Sequence, residues 1–207
     1  MPESTSVELL TRLLGGHDEL AWREFVDRYA PFLSAAACKI GLRTTDAADA
    51  VQETLIAVYR RFEQSQNPWD PTKGRFRSWL RRVLKNKVID IQKRLGLAAQ
   101  RLALAGRAQG GTIAVEELAS DDEEKIERIL DEEWRMNLLR RARQALRREF
   151  SPETLMAFDA VTAGGQSPAA TARLLGMSRN AVDIAKWRVL RRLRQVVHEI
   201  EQDEERV

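Results

Sequence analysis

Between Pro168 and Arg194 the residues leave the backbone few options: PAATARLLGMSRNAVDIAKWRVLRRLR. Ala169, Ala172, Leu174 and Leu175 give a first helix an apolar side. Gly176 stops it, as glycine does just past a helix end, and Ser178 is a good N-cap for a second helix. From Arg179 onward, Val182, Val189, Leu193 and Val196 fall on one face, at spacings of seven, four and three residues. The other faces carry Arg179, Lys186, Arg188, Arg191, Arg192 and Arg194 against one acid, Asp183. A short helix, a glycine turn and a second helix with a basic outer side form the helix-turn-helix pattern, whose second helix enters the DNA major groove. The same residues also suit an ordinary helical hairpin whose arginines are a solvated face.

The 207 residues can hold one large or two small domains, since domains run to about 100–200 residues. Leucine, alanine and valine are plentiful while glycine and proline are sparse, so a folded, mostly helical chain is expected. Lysine plus arginine exceed aspartate plus glutamate by only 34 − 31 = 3. The charges are segregated along the chain, however, and segregation says more than the sum. The single cysteine, Cys38, lies in an apolar run and has no internal disulfide partner. It is expected to be a small buried side chain in a reducing cytoplasm. No apolar stretch approaches the roughly eighteen residues needed to cross a bilayer. The opening MPESTSVELL lacks the basic start and long apolar run of a signal peptide. The expectation is a cytoplasmic protein without membrane contact.

From about residue 6 to 41 two helices are expected. Val7, Leu9, Leu10, Leu13 and Leu14 form a stripe ended by Gly15 and Gly16. Leu20, Trp22, Phe25, Val26, Tyr29, Phe32 and Leu33 form a second, aromatic-rich face, with Pro31 as a possible kink and Gly41 as the close. Thr45 or Asp46 can cap the next helix, DAADAVQETLIAVYRRFE, which turns Ala47, Val51, Leu55, Val58, Tyr59 and Phe62 inward. Asp46, Asp49, Gln52 and Glu53 cluster on the outside of its first half. Acids there favour the helix dipole, and they equally suit a docking surface for a basic partner.

Pro68, Pro71 and Gly74 then enforce a loop of about ten residues that contains Trp69. A helix follows, FRSWLRRVLKNKVIDIQKR, with Phe76, Leu80, Val83, Leu84, Val88 and Ile91 inward. Lys73 to Arg94 hold nine basic residues against one acid, Asp90. Such a helix attracts phosphates, and aromatics beside arginines suit single-stranded nucleic acid, because bases stack on rings while cations hold the backbone. The alternative is that Trp79 is core and the arginines are solubilising.

Leu95 to Ser120 reads as an interdomain linker with nascent helix, broken by Gly96, Gly106, Gly110 and Gly111. Asp121 to Glu133 carry eight acids against two bases, a stretch that can also discourage misplaced nucleic-acid binding. Asp131 to Glu149 forms a helix with Trp134, Leu138, Leu139, Ala142 and Leu146 inward. Ser151-Pro152-Glu153 and Ser167-Pro168 are two strong helix starts. Leu155, Phe158 and Val161 pack inward, and the acidic tail EIEQDEERV is expected to fray. His17 and His198 have no second ligand nearby. The chain shows no glycine-rich phosphate loop, no metal-ligand cluster and no nucleophile with a partnering histidine. Neither a cofactor nor enzyme chemistry is expected.

Three segments in order and spacing match a known family. The chain resembles the small, two-domain bacterial RNA polymerase sigma factors of the extracytoplasmic-function group, sigma-70 superfamily. DAADAVQETLIAVYRRF looks like their polymerase-docking helix, whose D-x-x-Q-E type of pattern maps onto Asp49, Gln52 and Glu53. GRFRSWLRRVLKNKVIDIQKR looks like the segment that melts and reads the −10 element, and LLGMSRNAVDIAKWRVLRRLR like the reader of the −35 element. The resemblance covers about residues 20–94 and 132–196. Two departures stand out: Asp183 to Trp187, where relatives carry small or basic residues, and Ala170-Thr171, where an acid is frequent. The DNA sequence preference of other members is therefore not carried over to this chain.

The resemblance implies an all-α fold of two small helical domains joined by a flexible linker, the C-terminal one with a helix-turn-helix. The N-terminal domain would span 1–94, the linker 95–125 and the C-terminal domain 126–207. It implies a subunit that binds core polymerase, recognises both promoter elements and promotes strand opening. Asp49, Gln52 and Glu53 would face the clamp helices of the β′ subunit, and the β flap is a further contact. Trp69, Lys73, Arg75, Arg77, Trp79, Arg81, Lys85, Asn86 and Lys87 would hold the unpaired −10 strand, with a flipped base cradled in the loop. Arg179, Asn180, Asp183, Lys186, Trp187, Arg188 and Arg191 would engage duplex DNA at −35. There Asn suits adenine, Arg or Lys suits guanine and Asp suits cytosine, while Arg188, Arg191 and Arg192 grip phosphates. The resemblance also admits an anti-sigma factor as a partner. A stand-alone helix-turn-helix repressor is the competing reading, and it would leave the aromatic loop and the docking helix without a role.

Overall fold

Trp22, Phe25, Tyr29 and Phe32 recur at spacings of three, four and three, which puts them in a column along one helix. In the computed structural model that column organises the N-terminal part of the chain. The structure describes residues 6–15, 18–64, 74–106 and 120–206, with side chains described over all of these except 98–106 and 120–122. Eight helices account for the described residues, and no strand occurs among them. They are α1 (Ser6–Leu14), α2 (Glu19–Lys39), α3 (Thr44–Gln64), α4 (Phe76–Gly106), α5 (Ser120–Glu149), α6 (Pro152–Thr162), α7 (Pro168–Leu175) and α8 (Arg179–Glu205). The protein is all-α, as the sequence implies.

Two units result, one of Met1–Asn137 with Glu204–Val207, the other of Leu138–Asp203. In the first, α1, α3 and α4 gather around α2. Phe25, Tyr29 and Phe32 are essentially fully buried, and Phe76 of α4 meets Phe25 and Tyr29 at ring distances of 6.1 and 5.8 Å. Trp134 of α5 closes the column, stacked on Tyr29 at 5.8 Å and edge-on to Phe32 at 5.0 Å. Each such ring removed from water contributes about 1.5–3 kcal/mol, with about 0.5–1.5 kcal/mol more for a well-placed aromatic pair. Asp18 caps α2, its Oδ1 accepting from the Ala21 N–H at 2.8 Å while Arg12 Nε donates to its Oδ2 at 2.9 Å. Pro31 lies inside α2 on its exposed side.

Several sequence expectations are corrected. Cys38 is exposed, because the apolar run around it is alanine and only the Ala36–Ala37 side turns inward. Leu20 sits in the first turn of α2 and is 69 % exposed, and Val7, Leu14 and Tyr59 also face outward. In α3 the fully buried positions include Ala50 and Thr54 between Ala47 and Val58, so the inward stripe is narrower and less greasy than the apolar residues alone suggest. The tail is helical through Glu205.

In the second unit, Ala142, Leu146, Phe158, Val189, Leu193 and Val196 form one core cluster, and Ala157, Ala172, Val182 and Ala185 another. The hydroxyls of Ser151, Ser167 and Ser178 accept from N–H groups three residues on, at 3.3, 3.2 and 3.1 Å. Gly176 adopts φ 64° and ψ 27°, and its N–H bonds to the Ala172 carbonyl. Leu174, by contrast, is 68 % exposed rather than inward.

A Cβ at Gly176 would meet nothing within 4 Å, so only its left-handed backbone resists substitution. Gly176→Ala should therefore cost about 1–2 kcal/mol in urea unfolding. Gly96→Ala, mid-helix and equally open, should stabilise by about 0.5–1 kcal/mol. Equal effects at the two sites would show that backbone conformation is not what distinguishes them.

Candidate nucleic-acid interface

Helical periodicity sorts the cations of α4 into three rows. A buried stripe of Phe76, Leu80, Leu84, Val88 and Ile91 fixes which way the helix faces. Opposite it, Arg75 (just before the first turn), Arg82, Asn86 and Lys93 recur at spacings of seven, four and seven, and all are exposed. The other two rows flank the stripe and meet acids.

On one flank, Arg81 is buried. Its Nη1 donates to Asp131 at 2.7 Å, and its Nη2 to a Glu127 carboxylate oxygen at 3.1 Å and the Glu127 carbonyl at 3.2 Å. Lys85 Nζ donates to Glu123 at 2.6 Å and to Glu127 at 3.4 Å. The bond to the Glu123 carboxylate holds the Lys85 ammonium above its ordinary range. All three acids lie on α5, whose Ile126, Leu130 and Trp134 are buried in the same unit. Below them, Lys39 pairs with Glu133 at 2.5 Å, and Asn137 Nδ2 donates to the Arg28 carbonyl at 3.2 Å. The acidic run is thus a structural element of the first unit.

On the other flank, Glu53 of α3 pairs with Arg94 at 2.5 Å and with Lys87 at 3.7 Å. Hydrogen bonding to Arg94 holds the Glu53 carboxyl below the usual range. Exposed pairs of this kind add little stability, because water and salt screen them. Asp49 and Gln52 stay exposed on the outer face of α3, with Ile56 one turn on. Beside them runs an open apolar groove of about 690 Å³ between α2 and α3, lined by Trp22, Val51, Leu55, Ile56 and Tyr59.

Arg77 is half-buried, and its Nε has no hydrogen-bond partner. Trp79 is half-buried against Phe76 and Phe62, at ring distances of 5.4 and 6.4 Å. Arg75 reaches Glu205 of the same unit at 3.5 Å. Trp69 and Lys73 lie outside the described residues. Sequence reasoning missed the groove residues Trp22, Ile56 and Tyr59. It counted Arg82 and Lys93 within the basic face without singling them out, although their spacing with Arg75 and Asn86 is legible in the chain.

In the second unit, the first turns of α8 hold exposed Arg179, Asn180 and Asp183, with Arg179 3.9 Å from Asp183. Trp187 is 59 % exposed, and the Arg191 guanidinium lies 5.3 Å from its ring centre. Lys186 is half-buried, and Arg188 sits over Phe150 at 5.8 Å. Arg192 is committed elsewhere. It grips Glu149 through two bonds of 2.7 and 2.8 Å and also reaches Glu199 at 3.2 Å. That grip holds the Glu149 carboxyl below its usual range. Among the described residues, no group of three or more His, Cys, Asp or Glu is placed to hold a metal, and no helix is long and apolar enough to cross a membrane.

Residues 25–96, from α2 into α4, match Sigma-70 region 2. The RNA polymerase sigma factor NccH of Alcaligenes xylosoxydans xylosoxydans is 31% identical over 93 residues, 45% of this chain and 47% of that protein. CnrH of Cupriavidus metallidurans, also an RNA polymerase sigma factor, is 30% identical over 92 residues, 44% of this chain and 45% of that protein. The chain thus spans about half the length of the curated relatives it matches. A solved structure of CnrH in complex with the cytosolic domain of CnrY is 20% identical, covering 92% of this chain and 96% of that chain at a TM-score of 0.35. Residues 25–96 are thus similar to Sigma-70 region 2, and the relatives matched are RNA polymerase sigma factors.

The Glu149–Arg192 pair makes an acid-side prediction. A carboxyl depressed on folding adds stability at pH values above its unfolded pKa, and that stability is lost as pH falls through the folded value. Thermal unfolding should therefore show the parent losing its advantage over Glu149→Gln between about pH 5 and pH 3. Parallel melting curves for the two proteins would remove the pair as a source of acid sensitivity.

Proposed function

We propose that this chain is a promoter-specificity subunit of bacterial RNA polymerase, which binds the core enzyme, recognises −35 and −10 elements and promotes strand opening. The observation that carries the reading is that the region 2 match ends on a helix whose outward row is cationic, while the helix before it presents acids beside an apolar groove. In this reading residues 1–94 dock polymerase and hold the −10 strand, 95–125 connect, and 126–207 read −35.

Asp49 and Gln52, with Ile56 and the groove beside them, form a mixed acidic and apolar surface that suits a basic amphipathic helical partner, the β′ clamp helices. The β flap is the further polymerase contact that the family resemblance brings. Glu53 would join the docking surface only by loosening its hold on Arg94, so it is a weaker candidate than its two neighbours. Arg75, Arg82, Asn86 and Lys93 would track the phosphates of an unpaired strand, and Trp79 offers a ring edge for a base. Opening a duplex costs stacking energy, and a surface that binds only the extruded strand recovers it. At −35, Arg179, Asn180 and Asp183 stand where base edges are reached, while Arg188 and Arg191 suit phosphates. Arg192 is withdrawn from that role by Glu149. Such a subunit works in the cytoplasm.

Purified protein added to core polymerase should start transcription from a cognate promoter. Asp49→Lys should reduce core binding at least tenfold without changing the melting temperature. Arg179→Ala should shift −35 preference and leave −10 preference alone. Nanomolar binding to duplex DNA with no affinity for core polymerase would replace this reading with that of a stand-alone repressor.

A further inference from the structure

We propose that the first turns of α5 are a displaceable cover on the nucleic-acid face: Glu123 and Glu127 occupy on Lys85 and Arg81 the places that phosphates of single-stranded DNA would take. The proposal rests on the reading of α4 as a nucleic-acid face, and it adds a control on that face.

Carboxylate and phosphate oxygens compete for the same donors. Lys85 and Arg81 are only 15 % and 11 % exposed at their side chains, whereas Glu123, Glu127 and Asp131 are 70 %, 50 % and 51 % exposed. The cations are therefore covered by acids that are themselves wet on their outer sides. Lys85 adjoins Asn86 and lies one turn from Arg82, so uncovering it would widen the outward row by a cation at its centre.

Anchoring along α5 is graded. Glu123, Glu124 and Lys125 are exposed, Ile126 is the first buried apolar residue, and Leu130 and Trp134 lie deeper. Fraying from the N-terminal end back to Ile126 breaks the Glu123–Lys85 bond and loses no buried apolar contact made by residues 123–125. Further peeling is opposed by Leu130 and Trp134. Asp131, one residue past Leu130, stays on Arg81. Lys85 thus loses its shorter bond first and keeps the 3.4 Å bond to Glu127, while Arg81 is freed in part only when Glu127 also leaves. The cover is a competitor of limited strength, which a strand held by the outer row can displace.

The test uses the full chain and a fluorescent single-stranded DNA of mixed sequence, about 20 nucleotides long. Glu123→Gln with Glu127→Gln should bind it about tenfold more tightly than the parent at low salt. Glu124→Gln with Glu132→Gln makes the same change in net charge on the same helix but touches neither cation, and it should have little effect. In the parent, bound DNA should speed hydrogen exchange at the amides of residues 124–127 and leave those around Trp134 protected. Equal gains from the two double variants, or added protection at 124–127, would overturn the cover. Arg82→Glu with Lys93→Glu separates the two readings. If that variant binds like the parent, α4 is not a nucleic-acid face and both fall. If it loses binding while the two double variants match each other, only the cover falls.

Discussion

A helix as rich in cations as α4 can enter a core only if the cations beside its buried stripe are neutralised. Arg81 has its guanidinium out of water, where an unpaired charge would cost several kcal/mol. Asp131 and Glu127 of α5 receive that charge, and the Asp131 bond is the shorter of the two. Glu53 does the same more loosely for Lys87 and Arg94. These flanking pairs decide which charges remain most available: among the described residues, Arg82 and Lys93 in the row opposite the stripe are left to the solvent, and Arg75 in the same row reaches Glu205. The near balance of charge over the whole chain hides this arrangement, because opposite charges meet on the flanks and like charges collect on one ridge.

How much of this was legible in the sequence depends on whether the information is local. The stripe Val182, Val189, Leu193 and Val196 is buried as its spacing requires, and Ser151, Ser167, Ser178 and Gly176 cap as their chemistry dictates. Each of these is decided within one or two turns. Pairings such as Arg81 with Glu127, 46 residues apart, are set by which helix faces arrive together, and no short window contains that. The same reason explains the errors. Leu20 and Leu174 fit an apolar face by type, yet both are largely exposed. Thr54 is polar by type and fully buried. Cys38 was misplaced because the alanines around it make a run look apolar on every side.

The candidate site was legible in kind and not in detail. Its residues were sought on α3, α4 and α8, since charge and helical pattern mark those segments. Which members of each set remain exposed followed only from the tertiary pairs. Arg81 and Lys85 looked equivalent to Arg82 as a linear pattern, and two acids on a distant helix separate them. Trp79 reads as a base-stacking ring in sequence, but its packing on Phe62 and Phe76 leaves only part of it available.

The two helices proposed to meet DNA manage their charge in opposite ways, and the difference bears on what each can do. On α4 the cations nearest the core are covered by acids that compete with phosphate, so its affinity for a strand is a balance between two anions. On α8 the first turns carry Arg179 and Asn180 with a single acid, Asp183, at the edge of ion-pair range, and the ring of Trp187 is backed by Arg191. Those side chains are exposed, so they can reach a partner without displacing a bond such as those that hold Arg81. Only further along does Arg192 turn back onto Glu149, which bounds the available surface to the first three or four turns. A helix poised in this way suits recognition of intact duplex. One whose cations are partly covered suits a strand that becomes available only after the duplex opens, when phosphate is presented at a density that carboxylates on a fraying helix end cannot match.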